Sequence, residues 1–129
     1  MDADDISHLD RIEKQVKFLQ ENRAIDVVSC SYTPFSDVEG RRHYEKRIIH
    51  PINPSVIHWL LKYYCVVAHP AVMMRRHIID NGQRYNDVYA EDLDLWRRVS
   101  NGHNISNIRE SLLLYRRTSS SLSSKNSNN

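Results

Sequence analysis

Apolar residues at Leu9, Ile12, Val16 and Leu19 recur at steps of three, four and three, with Arg11, Glu13, Lys14 and Lys17 between them. That spacing predicts a helix running to about Asn22 with one stripe facing a core. Ser7 and Asp10 form a short variant of the capping box at its start. Residues 25–32 are β-branched and mostly apolar, as a strand buried on at least one face requires, and Pro34 is expected to end it. Residues 36–47 are polar, contain Gly40 and Arg41-Arg42, and read as a surface loop or short edge hairpin. Asn53 can cap a helix with Pro54 at its first position, and Val56, Ile57, Leu60, Leu61 and Tyr64 make its apolar face. Two extended pieces hinged at Pro70 come next, over residues 65–74. A brief helix over 75–81 is closed by Gly82.

Residues 83–90 form a polar, Tyr-containing loop. Residues 91–99 carry acids in the first turn and arginines in the last, with Gly102 beyond, an arrangement the helix dipole favours. Two short strands are expected at 104–108 and 112–116, and from Thr118 the chain is rich in Ser and Asn and predicted disordered. The order of elements describes an α/β layered domain over residues 1–117 with a tail at 118–129. Ligands in such sheets bind beyond the carboxyl ends of the strands, where an acidic turn is normally fed by a strand. Here Met1 stands where that strand should end, so a preceding segment is expected.

Composition narrows the classes. The 129 residues are 40% hydrophobic and 26% charged, with 3 Gly and 4 Pro, as in an ordinary folded domain. No apolar run approaches the roughly 20 residues of a membrane helix. Eighteen basic against sixteen acidic side chains give a net +2, too balanced for a nucleic-acid footprint. Cys30 and Cys65 have no partner at metal-ligand spacing and read as free, buried thiols of a reducing, cytoplasmic compartment.

Two acidic clusters hold the candidate chemistry: Asp2-Ala3-Asp4-Asp5 and Glu91-Asp92-Leu93-Asp94. Each has a bland explanation as acids complementing a helix N-terminus. The alternative is functional, because three carboxylates at one turn are costly to keep charged without a cation. Mg²⁺ or Mn²⁺ takes oxygen ligands and commonly uses one or two carboxylates together with substrate phosphates. Asp92 could act as a general base, needing only hydrogen-bond reach to an attacking hydroxyl. The seven histidines show no zinc-type sequence spacing. Of these His69, before Pro70, is the one on a hinge between apolar pieces. Trp59 and Trp96 fall on helical apolar faces and are expected in the core.

Taken in order, these motifs resemble family 2 glycosyltransferases of the GT-A (Rossmann-like) fold. Met1-Asp2-Ala3-Asp4-Asp5-Ile6-Ser7, the helix over Arg11 to Leu19 and the strand at Ile25-Asp26-Val27-Val28 resemble the family's Asp-x-Asp turn with its adjoining helix and next strand. His69-Pro70-Ala71-Val72-Met73 with Arg75-Arg76 resembles its acceptor-side strand, and Tyr89-Ala90-Glu91-Asp92-Leu93-Asp94-Leu95-Trp96 its Glu-Asp catalytic helix. Leu112-Leu113-Leu114-Tyr115-Arg116 resembles its closing strand.

The resemblance implies a partial GT-A domain lacking the N-terminal nucleotide-binding half. It implies Asp2 and Asp4, with Asp5, binding a nucleotide-sugar diphosphate through Mn²⁺ or Mg²⁺. Asp92 is then the base for inverting transfer to an acceptor hydroxyl, helped by Glu91, and a partner chain could supply the missing half. Thr118 stands where the family commonly has a histidine, which weakens the metal assignment. An incomplete enzyme and a non-catalytic remnant or interaction module exposing an unpaired sheet edge are the two readings that remain.

Overall fold

The computed structural model describes residues 1–117; the predicted tail, with Thr118, lies outside them. A mixed sheet organises the chain. β1 (Ile6–Ser7), β5 (Ile105–Arg116), β2 (Val27–Val38) and β3 (Arg41–Tyr44) lie side by side in that order, and β4 (Met73–Met74) pairs with the start of β2. β2 and β5 run parallel, with Val27 opposite Ile105 and Phe35 opposite Arg116. The remaining pairs are antiparallel. Helices α1 (Arg11–Glu21), α2 (Pro54–Leu60), α3 (Arg76–Asp80) and α4 (Glu91–Ser100) complete the α/β layering that the sequence predicts.

Both long strands exceed their expected limits. β2 passes through Pro34, because at that point the incoming chain asks only for a carbonyl: the Glu45 N–H donates to the Pro34 oxygen at 2.9 Å. The two strands expected at 104–108 and 112–116 are one. Cys30 pairs with Ile108 and Ser31 with Ser111, so Arg109 and Glu110 bulge from β5 and bend it without breaking the ladder. The β2–β3 hairpin turns through Glu39 (φ 51°) and Gly40 (φ 75°), the positive-φ pair that suits a two-residue hairpin.

Of the predicted inward stripe of α1 only Leu19 is buried. Leu9 is fully exposed, Ile12 is 53% and Val16 40% exposed, while Arg11, Gln15 and Leu19 are buried. Hydrogen bonding explains the rotation: Gln15 Nε2 donates to the Ala71 carbonyl at 2.7 Å, and Arg11 Nη1 to Gln15 Oε1 at 3.4 Å. Nor does Ser7 cap this helix. Asp10 is its N-cap without a side-chain cap bond, and Ser7 Oγ accepts from Arg11 Nε at 2.8 Å instead.

Asn53 caps α2 as expected, its Oδ1 accepting from the Ser55 and Val56 N–H groups at 2.9 and 3.3 Å. Of the predicted apolar face, Ile57 and Leu61 are buried and Val56 and Tyr64 exposed. Trp59 is exposed as well, beside Tyr63 with ring centroids 5.3 Å apart, whereas Trp96 is fully buried. Around Pro70 the chain forms a 3₁₀ turn, His69–Ala71, in place of one of the two extended pieces. The main core gathers Val27, Ile57, Leu61, Val66, Ile78, Leu95, Trp96, Val99 and Ile105; a smaller cluster joins Cys30, Ala68, Ala71, Leu112 and Leu113. Cys30 is buried, Cys65 only partly, and both are free.

Candidate active site

The first acidic cluster is a turn fastened to the carboxyl end of β5. The Arg116 N–H donates to Asp5 Oδ1 at 2.9 Å, and Arg116 Nε donates to the Asp4 carbonyl at 3.0 Å. Arg116 also pairs with Asp37 and lies 4.6 Å from the centroid of the Phe35 ring. Ile6, next in the chain, pairs with Leu114, so β1 carries the turn alongside β5.

Asp2 and Asp4 are exposed and Asp5 is buried, with its Oδ2 lacking any hydrogen-bond partner. Burial pushes the Asp5 carboxyl above the ordinary carboxylate range; the Arg116 N–H opposes this, and the charges of Asp2 and Asp4 add to it. Carboxylate oxygens are the ligands a hard divalent cation takes, but the oxygens of Asp2, Asp4 and Asp5 do not converge within 4.8 Å of one another.

The second cluster opens α4. Ala90 precedes it in the left-handed region (φ 55°), sparsely populated by residues with a Cβ. Asp92 is half-buried and its Oδ1 accepts from the Leu93 N–H at 2.8 Å; Glu91 is exposed. Asp94 turns elsewhere, accepting from Asn86 Nδ2 at 2.9 Å and pairing with Arg98. Tyr85 stands beside this turn: burial raises its phenol above the ordinary tyrosine value, and Glu91 and Asp92 raise it further. The Tyr85 hydroxyl meets His69 Nε2 at 3.2 Å, and the His69 ring packs 5.7 Å from Trp96. His69 Nδ1 and Trp96 Nε1 are buried without partners.

Asp2, Asp4 and Asp5 thus stand as sequence neighbours on one turn, and Glu91 and Asp92 as neighbours on another. Among the described residues no hydrogen bond or ion pair joins the two. Sequence reasoning singled out His69 but missed Tyr85 and the role of Arg116. Tyr85 lies in a loop without periodicity, and Arg116 reads as half of a basic pair, so neither had a local signal.

Two of the histidines, which have no zinc-type spacing along the chain, come together with an aspartate through the fold. Asp26, His77 and His103 bring their ligand atoms within 4.8 Å of one another, across a sequence separation that no spacing rule spans.

Residues 1–82 match the family described as glycosyl transferase family 2. The chain belongs to that family. The bifunctional glycosyltransferase pgtA of Dictyostelium discoideum is 29% identical, over 98% of this chain and 20% of its own length. An uncharacterized glycosyltransferase of Methanocaldococcus jannaschii is 31% identical over 90% of the chain and 40% of its own length. The amylovoran biosynthesis glycosyltransferase AmsE of Erwinia amylovora is 29% identical over 90% of the chain and 43% of its own length. The chain thus spans less than half the length of these relatives. Its mixed sheet and helices are consistent with a partial GT-A domain of the family. No described helix is long and apolar enough to cross a membrane.

Proposed function

We propose that the chain is the acceptor-side part of an inverting glycosyltransferase that uses a nucleotide-diphospho-sugar. The observation that carries this reading is the Asp5 carboxylate, held by β5 through one oxygen and unpaired at the other, with Asp2 and Asp4 beside it. Asp2 and Asp4, backed by Asp5, would hold a divalent cation, Mn²⁺ or Mg²⁺. When bound, such an ion supplies stabilisation of negative charge on the departing nucleoside diphosphate.

Asp92 accepts the proton of an acceptor hydroxyl. The hydroxyl oxygen forms its bond to the anomeric carbon as the bond from that carbon to the diphosphate oxygen breaks, and attack from the opposite face inverts the configuration. Glu91 orients the acceptor or Asp92. Tyr85 and His69, hydrogen-bonded to each other beside that helix start, flank the acceptor.

The donor half is supplied by a further segment of a longer protein or by a partner chain. Two observations support this. Leu9, just before α1, and Ile12 and Val16 on it are exposed apolar side chains, and an open hollow of about 340 Å³ is lined by Ile6, Leu9, Leu112 and Leu114 beside the edge strand β1. The same apolar side chains favour the second reading, a non-catalytic interaction module. In that case the acids bind no donor.

Calorimetric titration with UDP- and GDP-sugars in the presence of Mn²⁺, comparing wild type with Asp4→Asn, separates the readings. Saturable binding that weakens in the variant supports donor recognition. Equal binding in both counts against it, as does absence of binding once the donor half is present.

A further inference from the structure

The Asp26–His77–His103 group lies at the end of the sheet opposite to the Asp5 turn. Asp5 is fastened to Arg116, across from Phe35, whereas Asp26 immediately precedes Val27. At about 3.3 Å per strand residue, the intervening length of β2 separates the two by roughly 25–30 Å.

Three elements meet here because the backbone staples them. The Asp26 N–H donates to the Asn104 carbonyl at 2.9 Å, and the Arg75 N–H donates to the Asp26 carbonyl at 2.9 Å. The first bond brings His103, the neighbour of Asn104, to Asp26. The second brings His77, in the first turn of α3. His77 Nε2 lies 3.2 Å from Asp26 Oδ1, and His103 Nδ1 lies 3.3 Å from Asp26 Oδ2. The Asn104 N–H adds a bond to Oδ2 at 3.3 Å, fixing the carboxylate from its main-chain side.

We infer that Asp26, His77 and His103 form a binding site for a borderline divalent transition-metal ion of the zinc class. Two imidazoles and a carboxylate are the ligand chemistry such ions select, in contrast to the all-oxygen turn at Asp5. The three ligand atoms lie within 4.8 Å of one another, and the two Asp–His separations, to different oxygens of the carboxylate, are of the size of the about 3.3–3.5 Å between ligand atoms of a tetrahedral site with bonds of about 2.0–2.2 Å. Side-chain exposure runs from 20% at Asp26 and 22% at His103 to 46% at His77, so the group has a fixed floor and an open rim. Water can reach the remaining coordination position from that rim. The ion would tie α3 to the residues leading into β2 and β5, a structural clasp independent of donor binding.

The test is titration of the full chain with ZnCl₂ at neutral pH, followed by calorimetry and by the ring-nitrogen NMR resonances of the histidines. The expected result is a one-to-one complex in which the His77 and His103 signals move together at one equivalent. His77→Gln and His103→Gln each weaken it at least about 10-fold, the scale set by loss of supporting groups around bound metals. His8→Gln, which alters another Asp-paired histidine, and Asp4→Asn both leave the complex intact. The wild-type resonances report even if a variant folds poorly. Absence of saturable zinc binding, or a complex that leaves the His77 and His103 resonances unmoved, overturns the inference whatever the outcome of the donor titration.

Discussion

Arg116 fastens the acidic turn to the end of β5, its main-chain N–H bound to Asp5 Oδ1 at 2.9 Å. Its side chain bonds the Asp4 carbonyl, pairs with Asp37 and packs on Phe35. In Arg116→Met the backbone bond to Asp5 survives while the guanidinium contacts go. The turn should then remain but lose its orientation. We predict about a 10-fold loss of Mn²⁺ affinity, as for other groups that position metal ligands, with little change in melting temperature. Parallel calorimetry and thermal unfolding check this; equal Mn²⁺ affinity in both proteins refutes the positioning role.

Gln15 has the opposite character, since its function is structural. It is fully buried, and its amide satisfies the carbonyl of Ala71, which is buried too. Gln15→Leu preserves apolar volume but strips a buried acceptor of its donor. The expected loss is about 1–3 kcal/mol of unfolding free energy. Urea denaturation should show a lower midpoint with an unchanged slope.

The same residue shows where the sequence was legible and where it was not. Helix existence follows from local rules, and the Asn53 cap and the acid-to-arginine gradient of α4 appear where those rules place them. Which way α1 faces is tied to the long-range hydrogen bond from Gln15 to the Ala71 carbonyl, invisible to periodicity. The bulge at Arg109 and Glu110 disguised one strand as two, and Pro34 suggested a stop because its needed carbonyl partner, Glu45, comes from a later segment. The two acidic groups could be named from motifs. Tyr85, Arg116 and the Asp26 histidines join their sites through long-range contacts alone.

The rotation of α1 yields a test of its own. Ile12 and Val16 are exposed, so Ile12→Lys combined with Val16→Lys should change the stability of the chain itself by no more than about 0.5 kcal/mol per site. If this face covers a donor-half segment, the double variant should no longer associate with that segment in sedimentation experiments. A large loss of stability in the isolated chain would show instead that the two side chains are packed within it.

His50 gives the pH dependence a definite sign. Burial pushes its imidazole below the ordinary value, with its ring 5.8 Å from that of Tyr32. The folded chain therefore resists protonation that the unfolded chain accepts near the ordinary imidazole value of about 6.5. Between the two values the unfolded state binds more protons, so the stability contribution is full above about pH 6.5 and is lost as pH falls through the lower folded value. Other groups also titrate in this range, which makes the difference between proteins the useful quantity. His50→Phe keeps an aromatic ring against Tyr32 and removes the proton site. Urea midpoints at about pH 5 and about pH 7.5, on either side of the ordinary imidazole value, should fall less on acidification in this variant than in wild type. An identical fall in both would show that protonation of His50 does not oppose folding.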